Sequence, residues 1–77
     1  MNLIKFEGYI GDEESVYEGI LYIHPFSIEA FLGVEMEFTP AGGKQIISEG
    51  VKIYFKSGNV LDIMMDIETF AAKLDMK

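Results

Sequence analysis

The chain contains no cysteine, no tryptophan and no arginine, and histidine occurs once among its 77 residues. The absence of cysteine excludes a disulfide framework, a thiolate metal site and a cysteine nucleophile. The absence of arginine removes the side chain that best reads guanine and phosphate. The folded state must therefore be stabilised by packing alone, or by packing together with oligomerisation.

Long hydrophobic runs are also missing. The first residues lack the apolar stretch of a signal peptide, and no segment approaches the roughly 20 apolar residues that a membrane-spanning helix needs. A chain of 77 residues has the length of one small domain. We therefore expect a single domain over residues 1–77 that is located in the cytoplasm and does not associate with a membrane.

Acidic residues outnumber basic ones, because 13 Asp and Glu oppose 6 Lys and the net charge is −7. Nucleic-acid binding requires cations that replace the counterions of the phosphates. The charge balance thus disfavours direct nucleic-acid binding. The excess of acidic residues favours one alternative, in which the protein mimics a nucleic acid and occupies a basic partner.

The first half of the chain reads mainly as strands. Residues 3–10 and 16–23 are rich in β-formers and flank a polar turn at residues 11–15, which predicts a first hairpin. Residues 34–38 alternate apolar and acidic side chains, as a half-buried strand does. The sequence leaves the structure of two segments undecided. Residues 27–33 could form one helical turn capped by Ser27, and residues 45–48 could be strand or loop.

The last third of the chain gives the strongest local signals. Residues 56–58 predict a three-residue hairpin loop, with Gly58 in the left-handed conformation. That loop sets the register of the hairpin, in which Ile53 faces Leu61, Val51 faces Ile63 and Lys52 faces Asp62. Asp66 then predicts the N-cap of a C-terminal helix, with Met65 and Phe70 as a hydrophobic staple.

These signals predict an α+β fold, with a small antiparallel sheet of about five or six strands packed against one C-terminal helix. We expect the sheet to be strongly bent or to form a half-barrel. The predicted core comprises Ile4, Phe6, Ile10, Leu21, Ile23, Met36, Phe38, Ile53, Phe55, Leu61, Ile63, Phe70 and Leu74.

Catalytic and metal-binding patterns are weak. His24 could act as a general base beside Glu29, but no cysteine accompanies it and no serine lies in a nucleophile-elbow context. One histidine among irregularly spaced carboxylates is not a metal-ligand set, and the acidic run at residues 12–14 lacks the spacing of a calcium loop. We therefore predict a non-enzymatic protein without catalytic residues, cofactor or metal.

A candidate interface lies on the sheet face opposite the predicted core. The hairpin register places Tyr54, Val60 and Met64 there, beside Lys52 and Asp62. Three sizeable apolar groups on a nominal solvent face require either more protein over them or a partner. Tyr and Met are also enriched at interfaces.

The segment from about Leu21 to Leu74 resembles the small flagellar FlbD-like proteins, and its shape also resembles short phage-type proteins of unknown function. The resemblance is carried by residues 22–28, by the strand–glycine turn at residues 54–58 and by the helix start at residues 66–70. It implies a small non-enzymatic accessory protein.

The sequence therefore predicts a non-catalytic interaction module that self-associates, most simply as a two-fold homodimer. One alternative is the acidic inhibitor or nucleic-acid mimic. Another is a small-ligand binder in a half-closed barrel, with His24, Tyr22 or Tyr17 as polar handles.

Overall fold

A computed structural model describes residues 3–12 and 14–75 of the chain. It contains five strands and one C-terminal helix, so the predicted α+β class is confirmed. Glu13 and both ends of the predicted 1–77 domain lie outside the described residues. The elements are β1 (Ile4–Gly11), β2 (Val16–Ile23), β3 (Ile28–Phe38), β4 (Ile46–Phe55), β5 (Val60–Ile63) and α1 (Ile67–Asp75), with a short 3-10 turn at Pro25–Ser27.

The five strands form one open antiparallel sheet in the order β2-β1-β5-β4-β3. Adjacent strands along the chain form two units, the β1–β2 hairpin and the β3–β4–β5 meander. These units join where β1 pairs with β5, at Ile10 opposite Ile63. Strands β2 and β3 are consequently the two edges of the sheet.

The turn of the first hairpin is held by Asp12. Its carboxylate accepts hydrogen bonds from the N–H groups of Glu14 and Ser15, at 2.8 and 2.9 Å, and its own N–H donates to the Ser15 carbonyl at 2.9 Å. The two backbone bonds, led by that from Glu14, hold the pKa of the Asp12 carboxyl below its ordinary value. The first hairpin is therefore confirmed.

The last hairpin has the predicted loop and register. Gly58 has a φ of 96°, and its N–H donates to the carbonyl of Phe55, whose own N–H donates to Asn59. Ile53 faces Leu61 and Lys52 faces Asp62, as predicted. A left-handed glycine closing a type I turn matches the twist of the flanking strands, so the loop chemistry and the apolar face select the same register.

Residues 27–33, the first segment that the sequence leaves open, do not form a helical turn. The short turn lies earlier, at Pro25–Ser27, and β3 begins at Ile28 and pairs with β4 along its length. The ladder with β4 pairs ten of the eleven residues of β3, whereas one isolated helical turn is unstable. In the second open segment, residues 46–48 belong to β4, and Gln45 lies in the loop before it.

The helix closes one face of the sheet. Asp66 caps it, because its carboxylate accepts hydrogen bonds from the N–H and the hydroxyl of Thr69, at 3.0 and 2.7 Å. Phe70 is fully buried and its ring meets that of Phe31 edge-on at 5.1 Å. The buried cluster beneath the helix comprises Ile4, Phe6, Ile10, Ile23, Val51, Ile53, Ile63 and Phe70, with Leu21, Phe55, Leu61 and Leu74 packed against it.

Two predicted core residues occupy the other face of the sheet. Met36 is buried there over Gly50, and Phe38 is half-buried with its ring 4.8 Å from that of Tyr9. Val51, which the predicted core omits, is fully buried under the helix. The sheet therefore has a main core on the helix side and a small apolar cluster on the opposite side.

Candidate interaction surface

The predicted interface residues lie on the sheet face opposite the helix. Tyr54 and Val60 are directly opposite each other in the β4–β5 ladder, and the N–H of Met64 donates to the Tyr9 carbonyl at 3.1 Å. All three side chains are half-buried. Tyr54 and Val60 lie beside the loop of the last hairpin and Met64 follows β5, and all three leave part of their apolar surface accessible.

The most exposed apolar side chains of this face lie on the edge strand β2, and sequence reasoning missed them. Ile20 and Tyr22 are each 60% exposed. They pair with Glu7 and Lys5 of β1. Lys5, Glu7 and Gly11 lie on the same face of β1, and Gly11 pairs with Asp62. Ile20 and Tyr22 therefore lie on the same sheet face as Asp62. The available signal was that residues 16–23 carry apolar side chains on both faces, which an edge strand in water does not need.

Charges on this face are largely paired. Lys52 Nζ lies 3.1 Å from Oδ1 of Asp62, and Lys5 Nζ lies 3.0 Å from Oε1 of Glu7. The hydrogen bond and the charge of Glu7 raise the pKa of Lys5. Paired charges at the centre of a surface lower the cost of covering it with another protein, because neither partner is then left buried alone.

A separate open groove lies on the helix side, between the β3–β4 hairpin and the start of α1. Its volume is about 770 Å³, and four of its lining residues are the carboxylates Glu35, Glu49, Asp66 and Glu68, without a lysine among them. Glu35 and Glu49 are directly opposite each other in the ladder. The exposed Ile47 and Ile67 also line the groove.

The three polar side chains proposed to bind a small ligand, His24, Tyr22 and Tyr17, do not line one common site. Tyr17 and Tyr22 lie on opposite faces of β2, since their spacing along the strand is odd, and His24 follows the strand end. His24 instead lies beside the exposed ring of Phe26, at 6.5 Å between ring centres. Within residues 3–12 and 14–75, no three histidine or carboxylate side chains are grouped closely enough to hold a metal ion.

Comparison with known proteins gives no relative: no family model, no curated protein and no solved structure matches the chain. The resemblance to FlbD-like proteins therefore stays a prediction. In the described part of the chain, none of the helical structure is both long enough and apolar enough to span a membrane.

Proposed function

We propose that the protein is a small, non-catalytic interaction module that self-associates as a two-fold dimer through the sheet face opposite its helix. The observation that carries the proposal is the exposure of Ile20 and Tyr22, each 60% accessible, on the edge strand β2. They share a sheet face with the half-buried Tyr54, Val60 and Met64, from which β1 separates them. Exposed apolar side chains on one face of a sheet are typical of an interface.

The size of the chain supports the same reading. A small domain buries only about 60% of the surface that its unfolded chain exposes, so association adds useful apolar burial. The opposite face is already occupied by α1, whose Phe70 is fully buried. The face that carries Ile20 and Tyr22 is covered by no helix in the described part of the chain.

We also propose that the sheet is strongly bent, as the sequence predicts. Residues 24–27 alone connect β2 at one edge to β3 at the other. The contact between the rings of Tyr9 and Phe38 joins strands that are separated by two others in the sheet order. Both features support a curved sheet, and a cytoplasmic location remains part of the proposal.

The test is sedimentation equilibrium of the whole chain and of a Met64→Lys variant at tens of micromolar. The wild-type protein should sediment as a dimer. Where the contact covers Tyr54, Val60 and Met64, the variant should shift toward monomer because it places a charge on the covered face. Ile47→Lys is the matched control, since Ile47 lies on the other side of the sheet. A monomeric wild-type protein would contradict the proposal, and an unfolded Met64→Lys variant would show that Met64 belongs to the core.

A second candidate function is the acidic protein that occupies a basic partner, and the groove favours it. Glu35 faces Glu49 directly across the β3–β4 ladder, which is a repulsive arrangement. The ion pairs of the described residues, Lys5–Glu7 and Lys52–Asp62, involve neither of them. A basic amphipathic segment would relieve the repulsion and cover Ile47.

This candidate is tested with a short synthetic peptide of lysine and leucine, followed by fluorescence anisotropy. The double variant Glu35→Gln/Glu49→Gln should raise the dissociation constant about fivefold, as expected for two exposed ion pairs. Glu14→Gln/Glu29→Gln removes the same charge outside the groove and is the matched control. If both double variants bind the peptide with equal affinity, the effect depends only on net charge, and the groove is excluded as the binding site.

A further inference from the structure

We infer that the dimer forms by antiparallel pairing of β2 with β2 of a second copy, so that the two sheets become one continuous sheet. This inference rests on the proposed self-association but places its contact at one strand edge, away from Tyr54, Val60 and Met64. A dimer paired through β2 should therefore survive Met64→Lys, whereas a dimer that covers the sheet face should not. The observation behind it is that the two edges of the sheet differ in their protection against pairing.

Strand β3 is a protected edge. Its ladder with β4 is irregular between Ile28 and Ala30, and it carries Glu29, Glu35 and Glu37 along its length. Bulges and charged side chains are the features by which natural sheets block further strand pairing. A second copy is therefore not expected to pair there.

Strand β2 is far less protected. Its eight residues contain no proline and no lysine, its register with β1 is unbroken, and Glu18 is its single charged residue. Its exposed side chains include Tyr17, Ile20 and Tyr22. A long, regular, apolar edge strand offers a row of unpaired backbone groups to another strand.

The backbone groups that face outward follow from the hydrogen bonds of the hairpin. The N–H of Asp12 donates to Ser15, and the N–H of Met64 donates to the carbonyl of Tyr9 on the β5 side. The backbone N–H and C=O groups of Tyr9 therefore point toward β5 and not toward β2. Hydrogen-bonded and non-hydrogen-bonded pairs alternate in an antiparallel ladder, so Tyr9 and its partner Glu18 form a non-hydrogen-bonded pair. The N–H and C=O groups of Glu18, Ile20 and Tyr22 consequently point away from β1, toward the open edge.

A two-fold axis at Ile20 gives the register that suits these side chains. Ile20 then faces Ile20 of the second copy, and Glu18 faces Tyr22, whose hydroxyl can donate to the carboxylate. Three outward-facing residues in each copy supply about six backbone hydrogen bonds. An axis at Glu18 would instead set two carboxylates directly opposite each other, which is destabilising.

The absence of cysteine from the chain makes a direct test available. In the Ile20-centred register the two Ile20 Cα atoms lie about 5.5 Å apart, which is within the range that a disulfide requires. The single variant Ile20→Cys should therefore oxidise to a covalent dimer. Ile47→Cys, at a residue 58% exposed against 60% for Ile20, is the matched control and should stay monomeric in a denaturing gel.

A charge at the same position gives a second readout. Ile20→Lys should raise the dissociation constant of the dimer about tenfold or more, because two like charges then meet at the axis, and Ile47→Lys should leave it unchanged. A dimer that forms no Ile20→Cys disulfide and survives Ile20→Lys would overturn the edge inference and leave the proposed self-association standing. A wild-type chain that sediments as a monomer would overturn both.

Discussion

A side chain at Gly50 should destabilise the fold, because Met36 fills the space where it would lie. A Cβ on Gly50 would lie 2.5 Å from both Cγ and Sδ of Met36 and 3.1 Å from the carbonyl oxygen of Ile63. Carbon atoms in contact are normally about 3.5–4.0 Å apart, so Met36 would have to move. Met36 is only 5% exposed, and the Ile63 carbonyl is backbone, so neither can yield easily.

The magnitude follows from two opposing effects of Gly50→Ala. Overpacking costs about 1–3 kcal/mol, and the lower entropy of the unfolded alanine chain offsets about 0.5–1 kcal/mol of that cost. The net loss in the free energy of unfolding should be about 1–2 kcal/mol. For a domain of this size that corresponds to a fall in Tm of about 5–15 °C.

The assay is urea unfolding followed by circular dichroism, with all variants at one protein concentration because association also stabilises the fold. Gly33→Ala is the matched control, since a Cβ there would meet Ile67 at an ordinary 3.6 Å. It should unfold at the same urea concentration as the wild-type protein or at a slightly higher one.

The double variant Gly50→Ala/Met36→Ala isolates the contact. Met36→Ala alone should cost about 2–5 kcal/mol, because it leaves a cavity. The methyl group that Gly50→Ala adds would partly fill that cavity, so the double variant should be more stable than the sum of the single effects by about 0.5–3 kcal/mol. Additive effects, or a Gly50→Ala variant as stable as the wild-type protein, would refute the packing of Met36 over Gly50.

Three further results are expected. The hydrogen bonds from Thr69, first from its hydroxyl and then from its N–H, lower the pKa of the Asp66 carboxyl in the folded state. The cap therefore contributes its full stabilisation at pH values above 3.8, the ordinary pKa of the carboxyl, and this stabilisation is lost as the pH falls through the lower pKa of the folded state. Asp66→Asn should therefore lose less stability than the wild-type protein in acid urea titrations, and an equal loss would contradict the cap. Gly58→Ala should cost about 1–2 kcal/mol at its φ of 96°, and Gly58→Asn should cost less, as urea midpoints would show. Each copy carries a net charge of −7, so added salt should screen the repulsion between copies and tighten the dimer in sedimentation equilibrium. Added salt should weaken binding of the basic peptide in anisotropy. Opposite trends would contradict the proposed dimer and the proposed basic partner, respectively.

The C-terminal hairpin and helix were predictable from sequence because their determinants are local. Gly58, the cross-strand pair Lys52–Asp62 and the cap Asp66 act within a few residues of one another, and each agrees with the apolar pattern. Residues 27–33 could not be assigned from the sequence because the local capping signal competes with a long ladder to β4, which only the tertiary structure supplies.

The features of the proposed interface depend on strand order, which the sequence does not reveal. Strand β2 becomes an edge because β1 pairs with β5, a contact between residues far apart in the chain. Tyr54, Val60 and Met64 could be assigned to a face from the hairpin register alone. The exposure of Ile20 and Tyr22 could not, because it requires knowing that no strand follows β2 in the sheet of the described residues.

The association of β2 edges is tested most directly by amide hydrogen exchange at protein concentrations above and below the dimer dissociation constant. The N–H groups of Glu18, Ile20 and Tyr22 point toward the open edge, so they should exchange quickly in the dilute protein and slowly in the concentrated protein. The N–H groups of Tyr17 and Gly19 bond within the hairpin and should be slow in both. Exchange of Glu18, Ile20 and Tyr22 that does not change with concentration would contradict the account.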